Sequence, residues 1–149
     1  MNSQFAVAVH ILTLLEKSAG SPVTSERMAG SINTNASLVR RLLGVLAASG
    51  LTTSQMGTGG GALLARAASR ITLLDVYRAV KAGELFGSPN ESPNPMCPVG
   101  RNIQVALVTH LTDAERALEK ELSQTTIADI LASVLTHEAR NGRTGGKTA

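Results

Sequence analysis

Between Gly50 and Ala65 two short β-capable runs, Leu51 to Met56 and Ala62 to Ala65, flank the tip Gly57-Thr58-Gly59-Gly60-Gly61. A tip in which four of five residues are glycine holds no regular element and turns the chain back on itself, so the segment reads as a β-hairpin. A lone hairpin is not stable in water, and this one must be carried by whatever precedes it. That requirement fixes much of what the chain can become.

What precedes it is a pair of short helices. Thr24 is placed to cap the first, with Glu26 near its positive end and Met28 and Ile32 as its buried residues. A polar turn, Ser31 to Thr34, follows, and Asn35 caps a second helix that runs to about Ser49 and stops at Gly50. In this second helix Leu38, Leu42, Val45, Leu46 and Ser49 recur at three- and four-residue spacing as the inward stripe, leaving Ser37, Arg40, Arg41 and Gly44 outside. Residues 2–18 are apolar almost all round and describe a first helix covered on several sides. Thr72 caps a further helix, Leu73 to Val80, with Asp75 at the capping-box position. Helix, helix-turn-helix, hairpin, helix is the order of a winged helix-turn-helix, mostly α with a small β-wing.

The second half has a different character. Between Gly83 and Pro98 the composition shifts to Pro, Asn, Ser and Glu, which reads as a long exposed loop or hinge. From Val99 a long helix carries Ile103, Leu107, Leu111, Ala114, Leu118 and Leu122 as one apolar seam, which calls for a partner. Thr126 opens a last helix with Asp129 at its capping-box position, and the Thr72-to-Asp75 and Thr126-to-Asp129 starts look alike, each a generic helix opening. The expected organisation is a DNA-binding domain over 1–82, a Pro-rich loop with Cys97 over 83–98, dimerisation helices over 99–138 and a flexible basic tail over 139–149.

Charge separates along the chain. Residues 1–80 carry seven Lys and Arg against three acids, whereas residues 81–139 carry four against eight. The basic half is the candidate polyanion binder. Three aromatics, Phe5, Tyr77 and Phe86, disfavour single-strand binding by base stacking. No run of eighteen apolar residues occurs and the start lacks a signal peptide's features, so the expectation is a cytoplasmic protein without membrane contact. One cysteine forms no intramolecular disulfide and does not by itself supply the thiolates of a zinc or iron–sulfur site. His10, His110 and His137 show no metal-ligand spacing, and no cofactor or metal is expected. No Ser/His/Asp arrangement or carboxylate pair points to catalysis.

Ser37, Arg40 and Arg41 stand at i, i+3 and i+4 and share one face of the presumptive recognition helix. An arginine there pairs with guanine O6 and N7 or clamps a phosphate; the plainer reading is a solvated helix surface. The wing tip lets backbone amides approach phosphates, or is a hairpin turn without contacts. Gly57, Gly59 and Ala62 also satisfy G-x-G-x-x-A, but that fingerprint needs a helix after the glycines, and a strand follows. Cys97, just before the long helix, is either a thiol whose thiolate the helix dipole favours or a buried small hydrophobe.

The run Pro22 to Ala65, followed by Ile71-Thr-Leu-Leu-Asp-Val-Tyr-Arg-Ala-Val80, resembles the Rrf-two family of winged-helix regulators. Ser3 to Leu12, Asn33-Thr34-Asn35 with Arg40-Arg41, Glu84-Leu85-Phe86 and Asn94 to Gly100 look more narrowly like its YwnA-like branch, and the resemblance extends to about residue 136. It implies a homodimeric repressor of double-stranded DNA operators, with the long helix crossing its partner through Ile103, Leu107, Leu111, Leu118 and Leu122. Carried over by position, Ser37, Arg40 and Arg41 match the recognition helix, Ser3 and Gln4 the start of the first helix, and Gly57, Thr58, Gly59 and Gly60 the wing. Cluster-binding members of the family bring three closely spaced cysteines where this chain has Cys97 alone. Met56 stands where many members have a wing arginine, and Ala62 where they have tyrosine. The expected input is therefore oxidation of Cys97 or a small-molecule effector. The alternative from another class is a winged helix that docks a protein and leaves its DNA face silent.

Overall fold

The computed structural model describes residues 3–81, 83–87 and 91–144, the side chain of Thr144 excepted. Six helices and one hairpin appear among them: α1 Ser3–Lys17, α2 Ser25–Ile32, α3 Ala36–Ala48, β1 Thr52–Gln55, β2 Gly61–Leu64, α4 Leu73–Val80, α5 Pro98–Leu122 and α6 Ile127–Thr144, with a 3-10 turn at Ala68–Arg70 before α4.

The helix starts are where capping chemistry puts them. Thr24 accepts from the Arg27 backbone N–H, Asn35 from Leu38 at 2.8 Å, and Thr72 forms a complete capping box with Asp75. Asn33 ends α2 in the left-handed conformation at φ 59°, which a short polar side chain tolerates and which lets the chain turn at once into α3.

Ala8, Ile11, Leu12 and Leu15 of α1, Met28 of α2, Val39, Leu42 and Leu46 of α3, Leu51, Ile71 and Val76 make the core. The inward stripe of α3 differs from the sequence reading. Val39, Leu42 and Leu46 are fully buried, Leu38 and Val45 are half-buried and Ser49 is exposed. The 3.6-residue period permits either set, and the packing of α3 turns the helix toward Val39.

Strands β1 and β2 pair antiparallel, with Thr52 opposite Leu64 and Gln55 opposite Gly61. Val23, just before α2, adds a third rung: its N–H donates to the Ala62 carbonyl at 3.1 Å and its carbonyl accepts from the Ala62 N–H at 2.8 Å. The wing is thereby tied to the chain that enters the helix-turn-helix. At its tip the Gly60 N–H donates to Gly57, closing a turn in which Gly57 and Gly59 take φ of 92° and 77°.

Helix α5 begins at Pro98, one residue before the expected start, with proline at the position where its missing N–H costs nothing. Its residues 101–110 are all exposed. The expectation placed α6 among the dimerisation helices, but its first residue belongs to the N-terminal core. Ile127 is fully buried, its N–H donates to Ile71, and the Leu73 N–H donates to Thr125. Helix α6 also continues to Thr144. Residues 139–144, read as the start of a flexible tail, are helical, because Glu138, Ala139 and Arg140 are good helix formers that carry the element past the last apolar position. Residues 145–149 of that tail lie outside the described residues, as do 82 and 88–90 around the Pro-rich loop. No described helix is long and apolar enough to cross a membrane.

Candidate nucleic-acid interface

Ser37, Arg40, Arg41 and Gly44 are all exposed on one side of α3, opposite Val39, Leu42 and Leu46. Burial of that apolar triad is what turns the polar set outward. Asn35, Ala36 and Ser37 lead the helix, so its first amides lie at the same end as the polar face, where an anion is favoured.

The two arginines differ. The Arg40 guanidinium is paired through Nη2 with the Glu26 carboxylate on α2, whereas no described residue pairs with Arg41. Glu26 is held below the usual carboxylate range, first by its own backbone N–H and then by the hydrogen bond from Arg40. The sequence reading used Glu26 only as a helix-start acid. Its spacing from Arg40 of fourteen residues, across a turn, gave no local signal of the pairing.

At the wing, Gly57, Thr58 and Gly59 are exposed and Gly60 half-buried, with Met56 standing out at 88% exposure beside them. At the wing's foot Arg66 pairs with Asp75 at 3.1 Å, the same carboxylate that closes the α4 capping box. Ser3 is exposed as the first residue of α1, and Gln4 is half-buried.

Within the single chain Cys97 is exposed at the N-cap position of α5, outside the protomer's core, and makes no side-chain cap bond. The described residues before it, 91–96, form no helix or strand and are almost all exposed, with one local turn. The Asn94 side chain accepts from the Met96 N–H at 2.9 Å, and its carbonyl accepts from Cys97, so an Asx turn feeds the helix. Gly100 completes it, since a Cβ there would stand 2.6 Å from the Asn94 carbonyl oxygen.

Along α5, Ile103 and Leu107 are exposed at 38% and 44%, while Leu111, Leu118 and Leu122 are half-buried. The seam is covered toward its C-terminal end, where Arg78 of α4 also pairs with Glu119 at 2.9 Å, and bare toward its start. Val99, Val105 and Val108, which the three-four spacing of the seam passed over, are exposed as well, so the first half of α5 is apolar on more than one side. A cavity of about 420 Å³ lies where Lys81, Glu84 and Phe86 face Leu107, Val108 and Leu111.

Comparison with known proteins agrees with this architecture. Residues 1–133 match the model of the Rrf2 family, described as an iron-dependent transcriptional regulator. The chain belongs to the Rrf2 family. It is 41% identical over 131 residues, 88% of its own length and 96% of the relative's, to YwnA of Bacillus subtilis (strain 168), described as an HTH-type transcriptional regulator. A crystal structure described as that of a DNA-binding protein is 36% identical and superposes with a TM-score of 0.70, covering 86% of this chain and 98% of that one. The structure of CymR (YrzC), the global cysteine regulator of B. subtilis, shares the fold at 20% identity with a TM-score of 0.68, covering 89% and 96%. The family and YwnA are transcriptional regulators and not enzymes, and this Rrf2 chain is a winged-helix transcriptional regulator with them.

The Rrf2 family is iron-dependent by description, which raises the question of what could hold iron in this chain. An iron–sulfur cluster is held by several thiolates. This Rrf2 chain has Cys97 alone, and among the described residues no three His, Cys, Asp or Glu side chains come together. The residues do not fit such a group.

Proposed function

We propose that this Rrf2 regulator acts as a cytoplasmic homodimer that represses transcription by occupying a roughly palindromic DNA operator. The observation that carries the reading is the outward face of α3. Ser37, Arg40 and Arg41 lie exposed on a helix whose opposite face is locked into the core, with the wing tied beside it through Val23. In this reading Arg40 and Arg41 meet base edges and phosphates, Gly57, Thr58, Gly59 and Gly60 lie along the backbone beside the groove, and Ser3 and Gln4 add contacts from the start of α1. Two copies pair through the bare half of α5. The input is a small-molecule effector or Cys97, whose exposed sulfur, after giving up its proton, attacks a peroxide oxygen to give the sulfenic acid while the second oxygen leaves as hydroxide and takes up that proton to become water.

The test begins with a duplex recovered from a random library by the full-length protein. At fixed salt, Arg41→Ala is expected to weaken binding to that duplex and to random duplex alike, as loss of a phosphate contact does. Unchanged binding in both Arg40→Ala and Arg41→Ala removes the assignment of α3. Failure to select any duplex favours the protein-docking alternative. Cys97→Ser should bind as the parent does and lose release by peroxide; release retained in that variant overturns the role of Cys97, and a parent that peroxide does not release points to a small-molecule effector.

A further inference from the structure

Within the face assigned to DNA contact, Arg40 is held by an acid that belongs to a different helix. Glu26 sits in the first turn of α2, which is fixed at its start by the Thr24 cap and pinned beneath by Met28 and Ala29 in the core. Its own backbone N–H and the Arg40 guanidinium lower its pKa, and like any exposed glutamate it is charged at neutral pH. Both side chains remain well exposed, 57% for Arg40 and 66% for Glu26. The pair therefore stands at the surface that meets DNA rather than inside the protein.

A surface ion pair of this kind does little for stability. It also places a negative charge where a phosphate backbone must approach, which weakens electrostatic binding. What it supplies is orientation. Arginine's guanidinium carries five N–H donors in a planar fork, and one bond from Nη2 to Glu26 leaves the second Nη2 N–H with a neighbouring N–H beside it as a two-donor edge, with no second acceptor among the described residues. An unanchored arginine must lose its side-chain freedom on reaching a base, whereas one already held loses less.

We propose that Glu26 is a positioning residue for base recognition, fixing the Arg40 guanidinium so that it reads one base edge, while Arg41, which no described residue pairs with, serves the phosphates. The proposal rests on α3 being the recognition helix. Guanine, with O6 and N7 side by side, is the base edge that suits such a fork. Glu26 then acts in two ways at once: it orients the arginine on the right sequence, and its charge penalises every sequence on which Arg40 finds no base to grip.

The experiment uses the duplex recovered by the full-length parent, its single-base variants and random duplex, all at one salt concentration. Four proteins are compared: parent, Glu26→Gln, Arg40→Ala and the double variant. Glu26→Gln is expected to bind random duplex more tightly, because one negative charge leaves the surface. Its discrimination at one base pair is expected to fall by about tenfold, within the range of a single bidentate contact. The double variant should discriminate no worse than Arg40→Ala, since Glu26 acts only through that arginine. If Glu26→Gln keeps full discrimination while Arg40→Ala loses it, the positioning role is wrong and the recognition helix stands. If Arg40→Ala also keeps full discrimination, Arg40 reads no base and the positioning role is wrong; if Arg41→Ala then binds unchanged as well, or the parent selects no duplex, the underlying reading fails with it. A further loss in the double variant beyond that of Arg40→Ala would place the effect of Glu26 elsewhere and overturn the proposal.

Discussion

An added Cβ at Gly61 would stand 2.6 Å from the Val23 carbonyl oxygen, on the very group that accepts the Ala62 N–H and ties the wing down. Because that neighbour is backbone, it cannot step aside without breaking the tie. Gly61→Ala should therefore cost about 1–3 kcal/mol, the usual penalty of forced overpacking, read as a lower midpoint in thermal unfolding. Sequence reading placed this glycine in the flexible tip, since a run of glycines looks alike from end to end; only the approach of Val23 separates Gly61 from the solvent-facing Gly57 and Gly59. His10 gives a second residue-scale prediction. Its Nε2 lies 3.1 Å from the Ser31 hydroxyl, in a largely apolar groove shared with Val9, Leu14 and Lys17, and burial holds its pKa below the ordinary 6.5. The unfolded chain takes up a proton near 6.5 and the folded one only at lower pH. Stability from this source is complete above that value and declines as the pH falls from it toward the folded-state value. Urea unfolding at about pH 7.5 and about pH 5.5 should show a drop in the parent that His10→Gln lacks.

Among elements, the two Thr-x-x-Asp helix starts reveal how far pattern alone reaches. Each capping box was legible, and each forms: Thr72 with Asp75, and Thr126 with Asp129 at 2.9 Å. Their meeting was not legible. The segments lie side by side as a short antiparallel bridge, joined by the Leu73-to-Thr125 and Ile127-to-Ile71 hydrogen bonds, over fifty residues apart in sequence. Local chemistry encodes where a helix begins, because the cap contacts residues three positions away, but nothing in either motif encodes which other helix start it will face. The consequence falls on Ile127, which sequence placed in a dimerisation segment and which is fully buried against the N-terminal core. Ile127→Ala should cost about 2–5 kcal/mol, as truncations of buried aliphatic side chains do, and should unfold the helix-turn-helix and α6 in one transition. Hydrogen exchange that left the amides of α1 and α3 as protected as in the parent would contradict it.

For the molecule as a whole, α5 is the element whose exposure a single copy leaves unexplained. Pairing of two copies through its bare half, as proposed, predicts that Leu107→Asp yields a monomer in sedimentation at micromolar concentration and loses tight duplex binding, with the thermal midpoint of the N-terminal core little changed. Leu107 suits the test because it is 44% exposed within one chain, so its replacement disturbs the protomer least. The seam was readable from the spacing of Ile103, Leu107 and Leu111; that its two ends differ was not, because coverage at the far end comes from α4 and the Arg78–Glu119 pair. That asymmetry has a mechanical meaning. Helix α5 is 25 residues long and is gripped near Leu122, where the bridge at Thr72 and Thr126 and the contact with α4 lie, while its Cys97 end is free of the core. At about 1.5 Å per residue it is a lever some 37 Å long, and each degree of tilt at the gripped end displaces the Cys97 end by about 0.6 Å. Leverage works in both directions: a sub-ångström push at the Cys97 end arrives at the fulcrum with its force multiplied, against the Arg78–Glu119 pair that joins this arm to the helix following the wing and the Thr72–Thr126 bridge beyond it.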